Sequence, residues 1–372
     1  MTGRAVDPTG AVPRRPSRAA PAPASEPLPG SGSGPVSRRR CPGYPIHALF
    51  DRRLAFAPGL GLEGRLGPAS RGGSADLVVD LAPAPPAEWR AGGEIDREWE
   101  SPERGPEGRP LVRLQRRGGV WRLRFRSAGD YFVTAERVVQ VPTPGACPKL
   151  ARLRLLGPVV AFWLELQGVV TLHASAVAVA TPGAGSGSRT VAFLAGHGAG
   201  KSSLAAAWLA HSDGAGLVTD DLLALRPGGA GYDVLPSYPY MRLWPADAER
   251  WTGTADGWPR VLPATEKRRV TVGQGGFGRL HPWPAPLAAL LLPERRPAGA
   301  VGLERLSPAA ALYHLVDTSY LRRLVTGAGL QPGRLERLAE LVERVPVSRL
   351  LYPQGPAHLP RVAAAVRRAV AG

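Results

Sequence analysis

Cysteine is almost absent from this chain of 372 residues, which contains only Cys41 and Cys147. Two cysteines cannot build a disulfide framework, and their separation does not match the paired spacing of a metal site. Their scarcity also favours a reducing compartment, because secreted proteins of this kind commonly rely on disulfides. We therefore predict a cytoplasmic protein without a cysteine-based metal centre.

Lysine is nearly as rare. Of the 47 basic residues only Lys149, Lys201 and Lys267 are lysines, and all the others are arginines. Arginine replaces lysine wherever charge alone is needed, but a guanidinium is not equivalent to a compact ammonium among phosphate groups. A retained lysine is therefore a weak indicator of a site, and Lys201 and Lys267 are the candidates.

Acidic residues are in the minority, with 30 against 47 basic ones and a formal net charge of +17. Such an excess favours acidic partners, and nucleic acid is the first class to consider. The arginines are, however, spread over the whole chain, without a basic stripe along one helix, interleaved aromatic residues or zinc-ligand spacing. We therefore predict that nucleic acid is not the partner.

A long apolar core after the first charged residues is missing, so the sequence predicts no signal peptide. One later stretch, residues 155–180, is apolar over a length that could cross a bilayer. It contains Pro158, Glu165 and His173, and its periodicity changes from helical to extended at Gly168. A buried helix followed by a buried strand fits this pattern better than a membrane span.

Composition divides the chain into three parts. Residues 1–42 are rich in Pro, Ala, Ser, Gly and Arg and predict a disordered tail. Residues 43–148 predict a small β-rich N-terminal domain, because short β-like runs alternate with glycine, proline and charged residues. Those runs cover residues 77–81, 120–125, 131–133 and 138–141.

The third part, residues 149–372, alternates between helix-like and strand-like segments. A helix is predicted over 150–166, and strands are predicted over 169–179, 191–194 and 217–225. This alternation predicts an α/β sheet with a ligand at its carboxyl edge. Two later segments are amphipathic and predict packing helices, with apolar faces made of Leu335, Leu338, Leu341 and Val342, and of Leu359, Val362, Ala363 and Val366.

The octet Ala-Gly-His-Gly-Ala-Gly-Lys-Ser at 195–202 matches the phosphate-loop pattern, with alanine in place of the first glycine. Small residues let backbone N–H groups turn inward onto phosphate oxygens, and the following helix adds its positive N-terminal end. The order of strand, loop and helix favours this interpretation over a chance glycine-rich turn. We predict that ATP binds here through Gly196, His197, Gly198, Ala199, Gly200, Lys201, Ser202 and Ser203.

Acidic side chains follow the loop closely. Lys201 is predicted to reach the β- and γ-phosphates and the Ser202 hydroxyl to bind Mg²⁺. Asp220 and Asp221 are adjacent at the end of the 217–225 run, and neighbours in a strand point to opposite faces. One carboxylate, Asp220, would bind Mg²⁺ through its water shell, and the other would accept a proton from an attacking hydroxyl. An acidic pair that caps a turn is the alternative.

Four basic residues outside the loop are further candidates. His173 lies in an apolar strand predicted to run beside the phosphate-loop strand, where a buried core histidine is the alternative to a catalytic one. Arg242, Lys267 and Arg268 could neutralise phosphate charge, although a solvated surface position explains each of them equally well when taken singly.

These segments together resemble a known family, the HPr kinase/phosphorylases and their shorter relatives. The resemblance is carried by Leu-His-Ala-Ser-Ala-Val at 172–177, the A-x-x-x-x-G-K-S loop at 195–202, Leu-Val-Thr-Asp-Asp-Leu-Leu-Ala-Leu at 217–225 and Tyr-Pro-Tyr-Met-Arg-Leu-Trp-Pro at 238–245. It implies the nucleotide-binding fold shared with ATP-dependent phosphoenolpyruvate carboxykinase. It also implies that His173 and Lys201 are active-site residues, Ser202 a metal ligand and Asp221 the base that activates a serine hydroxyl.

The chain departs from this family at the motif E-I-R-G, whose glutamate helps to bind metal. The corresponding residues here are Tyr240-Met241-Arg242-Leu243, so the arginine is kept and the acid is not. The HPr-docking region is also not recognisable. With its small β-rich N-terminal domain, the chain is more similar to the HPr-kinase-related proteins found with ribosomally made peptides, including kinases of lasso peptide precursors.

We therefore predict an α/β fold with a phosphate-loop core like that of HPr kinase and phosphoenolpyruvate carboxykinase. The predicted activity is Mg²⁺- and ATP-dependent transfer of the γ-phosphoryl group to a Ser or Thr hydroxyl of a peptide or small protein. His173, Lys201, Asp221 and Arg242 would be catalytic, and Lys267 and Arg268 would contact the nucleotide. Two alternatives stay open, an ATP-binding regulatory protein without transfer activity and a kinase or carboxykinase-like enzyme of a small metabolite. Relatives form rings, so a homo-oligomer is compatible with the sequence.

Overall fold

The computed structural model describes residues 39–40, 43–71, 73–180, 188–196, 198–229 and 231–371. All described residues belong to one unit by their mutual contacts. The tail prediction for residues 1–42 falls almost entirely outside the described residues, and so does the predicted loop contact of His197. The proposed boundary near residue 148 stays a prediction.

Short strands joined by glycine turns form the first sheet. Its nine strands have the order β4-β2-β3-β6-β11-β10-β9-β8-β7, and β1 pairs separately with β5. The strands of this region are β1 (Arg39–Arg40), β2 (Pro45–Leu49), β3 (Arg52–Phe56), β4 (Ala69–Arg71), β5 (Ser74–Ala75), β6 (Leu77–Leu81), β7 (Arg97–Glu100), β8 (Val112–Arg117), β9 (Val120–Phe125), β10 (Gly129–Val133) and β11 (Arg137–Pro142). The four strands predicted from the sequence here are confirmed as β6, β9, β10 and β11. A short helix, α1 (Ala87–Arg90), precedes β7.

The hairpin between β8 and β9 illustrates how glycine builds this sheet. Gly118 and Gly119 both have positive φ, 53° and 82°, and Arg117 pairs directly with Val120 across the turn. A two-residue hairpin turn of this kind needs positive φ at both positions, which only glycine adopts without strain. The register of β9 is fixed by this turn, and Leu123 and Phe125 consequently face the core.

A buried helical segment connects the two halves of the chain. It consists of α2 (Pro148–Arg154), a π-helical turn (Leu155–Val159) and α3 (Val160–Leu166). Pro158 lies inside the π turn and has no N–H to donate, which explains the local departure from α-helical bonding. Phe162 packs edge-on against Trp121 of the first sheet, with ring centroids 5.5 Å apart. The helix predicted over 150–166 is thus confirmed.

The second sheet carries the strands of the C-terminal half. Its order is β13-β12-β15-β16-β19-β21-β20, with β14 paired to β12 and an additional pairing of β13 with β19; β17 and β18 pair separately. The strands are β12 (Val170–Ala180), β13 (Ser188–Leu194), β14 (Gly216–Thr219), β15 (Leu222–Gly228), β16 (Gly231–Leu235), β17 (Tyr240–Leu243), β18 (Arg268–Thr271), β19 (Ala285–Arg296), β20 (Gly302–Arg305) and β21 (Val347–Pro353). Because β13, β19 and β21 are mutually parallel, their carboxyl ends lie at one edge.

Helices cover both faces of this sheet. They are α4 (Lys201–His211), α5 (Pro245–Thr252), α6 (Pro308–Asp317), α7 (Arg322–Gly327), α8 (Gln331–Arg344), a 3₁₀ turn (Pro356–His358) and α9 (Leu359–Ala371). Alternate residues of β13 enter different cores: Val191 and Phe193 pack with α4 and α9, whereas Ala192 and Leu194 pack with α6 and α8. This period of two places the strand between two helical layers. The fold is therefore mixed α/β with large sheets.

Both amphipathic segments form helices, with one difference. On α9 all four predicted apolar residues are buried, and on α8 Leu338, Leu341 and Val342 are buried. Leu335 is 37% exposed, so its assignment to the packed face was wrong. It lies one turn before Leu338, near the beginning of α8.

The apolar stretch 155–180 folds as the end of the buried helical segment followed by β12, as the change of periodicity predicts. Within the described part of the chain, no helix combines the length and the apolar character needed to cross a membrane.

The strand predicted over 217–225 is wrong in one respect that matters for the site. It is divided into β14 and β15, and the break falls at Asp220 and Asp221. Asp221 has a φ of 73°, in the left-handed region that non-glycine residues rarely adopt. The two acids therefore do not belong to a continuous strand, and strand alternation cannot explain where they point.

Candidate functional site

A tight loop follows β13 at the carboxyl edge of the second sheet. Gly198 and Gly200 have φ of 79° and 91°, which only glycine adopts readily, and α4 begins directly after Gly200. The guanidinium of Arg295, near the end of β19, lies against Gly200 and would have to shift if residue 200 had a side chain. The sequence thus builds a compact turn that leads into a helix N-terminus, an arrangement that favours anions.

Lys201 is folded back into this loop. It is buried, and its Nζ donates to the carbonyl oxygens of Ala195 and Gly196 at 2.9 and 3.0 Å. Burial lowers the pKa of Lys201, while the carboxylates of Asp220 and Asp221 oppose this effect. The ammonium group therefore lies within the loop and is supported by the two acids.

Asp220 accepts hydrogen bonds from three elements of the fold. Its Oδ1 accepts from the Ser202 hydroxyl at 2.8 Å and from the Ser175 hydroxyl at 2.5 Å. Its Oδ2 accepts from the backbone N–H of Arg242 at 2.8 Å. The Ser202 hydroxyl and the Asp220 carboxylate, which the sequence assigns to one metal ion, are thus side by side.

Asp221 has an entirely different set of partners. Its Oδ2 accepts from Arg242 Nη1 at 2.6 Å and from the Tyr320 hydroxyl at 3.1 Å. Nδ1 of His173 is 3.4 Å from Oδ1 and 3.1 Å from the backbone oxygen of Asp221, so this ring nitrogen carries a proton. The structure thus brings together four of the residues singled out in the sequence, His173, Asp220, Asp221 and Arg242.

The charge state of Asp221 follows from these contacts. Burial is the largest influence and raises its pKa, but Arg242, His173, Tyr320 and Lys201 together outweigh it and leave the pKa below the ordinary value. Asp221 is therefore ionised at neutral pH. For Arg242 burial is again the largest influence and lowers the pKa, but Asp221, with smaller contributions from Tyr240, Tyr320 and Asp220, outweighs it and leaves the pKa raised.

Tyr240 occupies the place where the resemblance expects a glutamate. Its ring stacks on that of Tyr238, with centroids 5.6 Å apart, and burial raises the pKa of its phenol. It is therefore neutral at physiological pH and adds no negative charge to the site.

The remaining predicted contacts are distributed differently. Lys267 places its ammonium 5.4 Å from the ring centroid of Trp244, and its charge contributes to lowering the pKa of Lys201. Arg268 pairs instead with Asp256 at 3.0 Å. The Ser203 hydroxyl donates to Asp247 of α5 at 2.5 Å and is directed away from the loop's own groups.

Hard oxygen donors at Ser202 and Asp220 suit Mg²⁺, which prefers oxygen and keeps several of its waters. Among the described residues no group of three or more His, Cys, Asp or Glu side chains is arranged to hold a metal ion. These two residues therefore fit a magnesium ion that takes its other ligands from a nucleotide and from water, and they do not form a complete protein cage.

Sequence reasoning missed three residues of this site. Ser175 is two positions after His173 in β12, so the period of a strand could have assigned both to one face. Tyr320 follows α6 and Arg295 lies near the end of β19, and both are far from the motifs in sequence. No local signal connects either of them with the phosphate loop.

Comparison with known proteins yields similarities among solved structures. No family model and no curated protein matches the chain. Among solved structures the chain is similar to the Hpr(Ser) kinase/phosphatase from Coxiella burnetii, with 13% identity and a TM-score of 0.29. The match covers 54% of this chain and 99% of that chain.

Proposed function

We propose that this protein is an ATP- and Mg²⁺-dependent kinase that transfers the γ-phosphoryl group to a hydroxyl group. The observation that carries this proposal is that two adjacent acids have different hydrogen-bond partners. Asp220 is bonded to Ser202 at the start of α4, whereas Asp221 is bonded to Arg242, His173 and Tyr320. Lys201 lies within the influence of both carboxylates.

Nucleotide binding is assigned to the loop, residues 195–200, and to the first turn of α4. Backbone N–H groups of a glycine-rich turn and the N-terminal end of a helix attract phosphate oxygens. The Lys201 ammonium now rests on two carbonyl oxygens of the loop. A bound phosphate would give the Lys201 ammonium a negatively charged acceptor in place of these carbonyl oxygens. A hydrogen bond to a charged acceptor is stronger than one to a carbonyl oxygen.

Ser202 and Asp220 are the residues that would hold Mg²⁺. When bound, the ion would neutralise charge on the β- and γ-phosphate oxygens. The Ser175 hydroxyl and the Arg242 N–H fix the orientation of the Asp220 carboxylate, so its oxygens are oriented before any ligand arrives.

Asp221 is proposed to orient the acceptor hydroxyl and to receive its proton. Its pKa is below the ordinary value, which makes it a weak base but keeps it ionised. Phosphoryl transfer proceeds largely through a loose transition state, so positioning the hydroxyl matters more than early proton removal. His173, Tyr320 and Arg242 hold the carboxylate in place.

The acceptor we propose is a Ser or Thr side chain of a peptide or small protein, such as a lasso-type ribosomal peptide precursor. The support is the resemblance of the motif order and of the β-rich N-terminal segment to kinases of that group. An ATP-binding regulatory protein is the competing function, and the ionised, oriented Asp221 counts against it because a sensor of ATP needs no such base.

The experiment is transfer of label from γ-labelled ATP to a degenerate library of Ser- and Thr-containing peptides, with Mg²⁺, followed by mass spectrometry of the labelled products. We expect phosphorylation of hydroxyl side chains, which disappears in Asp221→Asn. The matched control is Asp51→Asn, because Asp51 also has positive φ, 54°, and also pairs with an arginine at 2.6 Å, but outside the site. Calorimetric binding of Mg-ATP without transfer to any hydroxyl would support the regulatory protein instead.

A further inference from the structure

A second feature adjoins the site and is not explained by nucleotide binding. A cavity of about 80 Å³, large enough for several water molecules, opens between the loop that carries Arg65, α2, and the paired strands β17 and β18 with the segment that joins them. Six of its lining residues are basic and none is acidic: the cavity is lined by Arg65, Lys149, Arg152, Leu153, Leu156, Tyr240, Arg242, Pro259, Arg260, Val261 and Arg269.

Three of these arginines lack a carboxylate at ion-pair distance. Within the described part of the chain, Arg65, Arg152 and Arg269 form no ion pair with any Asp or Glu, whereas Arg242 pairs with Asp221 and Arg260 with Glu266. Burial, followed by the charge of Arg65, lowers the pKa of both Arg152 and Arg269, although Cys147 and Glu63 oppose this weakly at Arg152. Three guanidinium groups thus crowd together and repel one another.

Crowding of arginines alone would mean little in a chain so rich in them, and a second cavity provides the comparison. It is lined by Arg109, Arg113, Arg124 and Arg126 of the first sheet. There each guanidinium has a carboxylate partner: Arg109 and Arg126 pair with Glu107, Arg113 with Glu100, and Arg124 with Asp130. Of these two cavities, only the one beside the site contains arginines without an ion-paired carboxylate.

The cavity beside the site is connected directly with the residues around Asp221. Arg242 lines it, and Nη1 of the same residue is 2.6 Å from Asp221. Tyr240, whose ring lies 5.8 Å from the Arg269 guanidinium carbon, lines it as well. A group bound here would therefore be one side chain away from the carboxylate proposed to orient the acceptor hydroxyl.

We propose that this cavity binds an oxyanion of the phosphoryl acceptor, a phosphate or carboxylate group, through Arg65, Arg152 and Arg269. The inference rests on the proposed function and specifies its substrate class: a hydroxyl compound that carries an acidic group close to the hydroxyl. Guanidinium groups form paired hydrogen bonds with such oxyanions, and a bound anion would remove the repulsion among the three arginines. The first half of the chain contributes Arg65 and thereby takes part in acceptor binding.

The test uses inorganic phosphate as probe and malonate as the carboxylate probe, titrated calorimetrically at low ionic strength. Because phosphate also suits the loop, both titrations are made in a Lys201→Ala background. We expect at least one of the two anions to bind to the Lys201→Ala protein. The double variant Arg152→Gln/Arg269→Gln in that background should weaken this binding at least tenfold. Arg124→Gln, from the neutralised cavity, should leave affinity within twofold. Loss of all anion binding in Lys201→Ala alone, or unchanged binding in the double variant, would overturn the proposal.

Thermal stability separates a binding role from a structural one. Since the three charges repel in the empty cavity, Arg152→Gln and Arg269→Gln should keep or raise the melting temperature without anion. Phosphate should raise the melting temperature of the wild type more than that of the double variant. Unfolding of both single variants in phosphate-free buffer would show that the arginines are structural and would contradict the inference.

Transfer kinetics distinguish failure of this inference from failure of the proposed function. For an identified acceptor we expect the double variant to raise the acceptor KM at least tenfold while the affinity for Mg-ATP stays unchanged. An unchanged acceptor KM in an active kinase would reject the cavity alone. If the protein binds anions through the arginines but transfers phosphate to no hydroxyl, the proposed kinase function is wrong and the anion site stands.

Discussion

At the scale of single residues, the site depends on two neighbouring carboxylates that the fold places in different surroundings. Asp220 is bonded to two serine hydroxyls and a backbone N–H, which suits an oxygen ligand of a metal ion. Asp221 is bonded to a guanidinium and a phenol, which suits a fixed, ionised group. A positive φ at Asp221 accompanies this separation and is a form of backbone strain often found at functional sites.

The first prediction separates the roles of the two acids. Asp221→Asn should lower the rate of phosphoryl transfer by roughly 10²- to 10⁴-fold with ATP affinity largely intact, because the carboxylate acts mainly in the transition state. Asp220→Asn should weaken the affinity for Mg-ATP and raise the Mg²⁺ concentration required. Steady-state kinetics with varied ATP and Mg²⁺ measure both. Equal losses of ATP binding in the two variants, with normal rates at saturation, would reverse the assignment.

The second prediction concerns pH. The pKa of the Asp221 carboxyl is held below its ordinary value of 3.8, with Arg242 as the strongest lowering influence. Asp221 should therefore stay ionised at every pH above its lowered pKa. The rate of phosphoryl transfer should fall only in more acidic solution, where the carboxylate becomes protonated. Arg242→Gln removes the main lowering influence and leaves burial, so the acidic limb of the pH–rate profile should move to higher pH. An acidic limb at the same pH in both proteins would exclude Asp221 as the titrating group.

At the scale of elements, sequence patterns predicted most of what is local. The four strands in the first sheet, β12 and β13 follow from short β-like or apolar runs, and the apolar face of α9 follows from apolar residues at helical spacing. The break between β14 and β15 could not be predicted in this way. The run from Leu217 to Leu225 is apolar except for Thr219 and the two acids, so it resembles one continuous strand. The turn between the two strands is stabilised by hydrogen bonds, including one that the Thr219 hydroxyl donates to the Leu222 carbonyl oxygen at 2.6 Å.

The same limit applies to the site. The phosphate-loop motif predicted Lys201 and Ser202, since the chemistry requires these residue types at this spacing. Asp220, Asp221 and Arg242 were predicted from their residue types and from the resemblance. Tyr320 and the cavity arginines belong to elements that meet the motifs only after folding. Their contribution depends on side-chain packing between distant segments, which periodicity does not describe.

A buried ion pair helps to hold the segment between α6 and α7, which contains Tyr320, against the sheet. Nε of Arg334 in α8 is 3.0 Å from Glu165 of α3, while its Nη1 donates to the Ser319 hydroxyl at 2.7 Å and its Nη2 to the Thr171 carbonyl oxygen at 2.7 Å. Both charged side chains are almost fully buried, with exposures of 1% and 0%. Removal of one partner would leave an uncompensated charge in the interior.

The third prediction follows from this pair. Arg334→Met should lower the free energy of unfolding by about 3–5 kcal/mol, the range typical for breaking a buried pair from one side. The matched control is Arg344→Met on the same helix, where the partner Glu340 is exposed and the loss should be about 1 kcal/mol or less. Urea denaturation measures both. Similar small losses in the two variants would show that the Arg334 pair does not support the fold.

At the scale of the whole molecule, both halves of the chain contribute to the proposed reaction. The second sheet supplies the loop and the acids, whereas the first half supplies Arg65. The buried helical segment links them: the Tyr238 hydroxyl donates to the Leu156 carbonyl oxygen at 2.7 Å and the Tyr131 hydroxyl to the Ala151 carbonyl oxygen at 2.8 Å. Such fixed contacts would hold acceptor and nucleotide in a constant relation, which phosphoryl transfer requires.

The fourth prediction concerns the direction of the overall reaction. The resemblance assigns a metal-linked glutamate to the machinery that removes phosphate in the HPr enzymes, and Tyr240 stands in its place as a neutral phenol. We therefore expect a one-way kinase. Incubation of phosphorylated acceptor with enzyme, Mg²⁺ and inorganic phosphate should yield no pyrophosphate, and clear pyrophosphate formation would contradict the account.

The central claim is tested most directly by phosphoryl transfer in Lys201→Ala, because Lys201 is the loop's own cation and lies buried at the loop carbonyls. Transfer from γ-labelled ATP to a hydroxyl acceptor, measured in wild type, Lys201→Ala and the distant control Arg226→Ala, should be lost almost completely only in Lys201→Ala. Residual activity in Lys201→Ala within tenfold of wild type, a change in barrier of about 1.4 kcal/mol or less, would contradict the assignment of the loop to ATP.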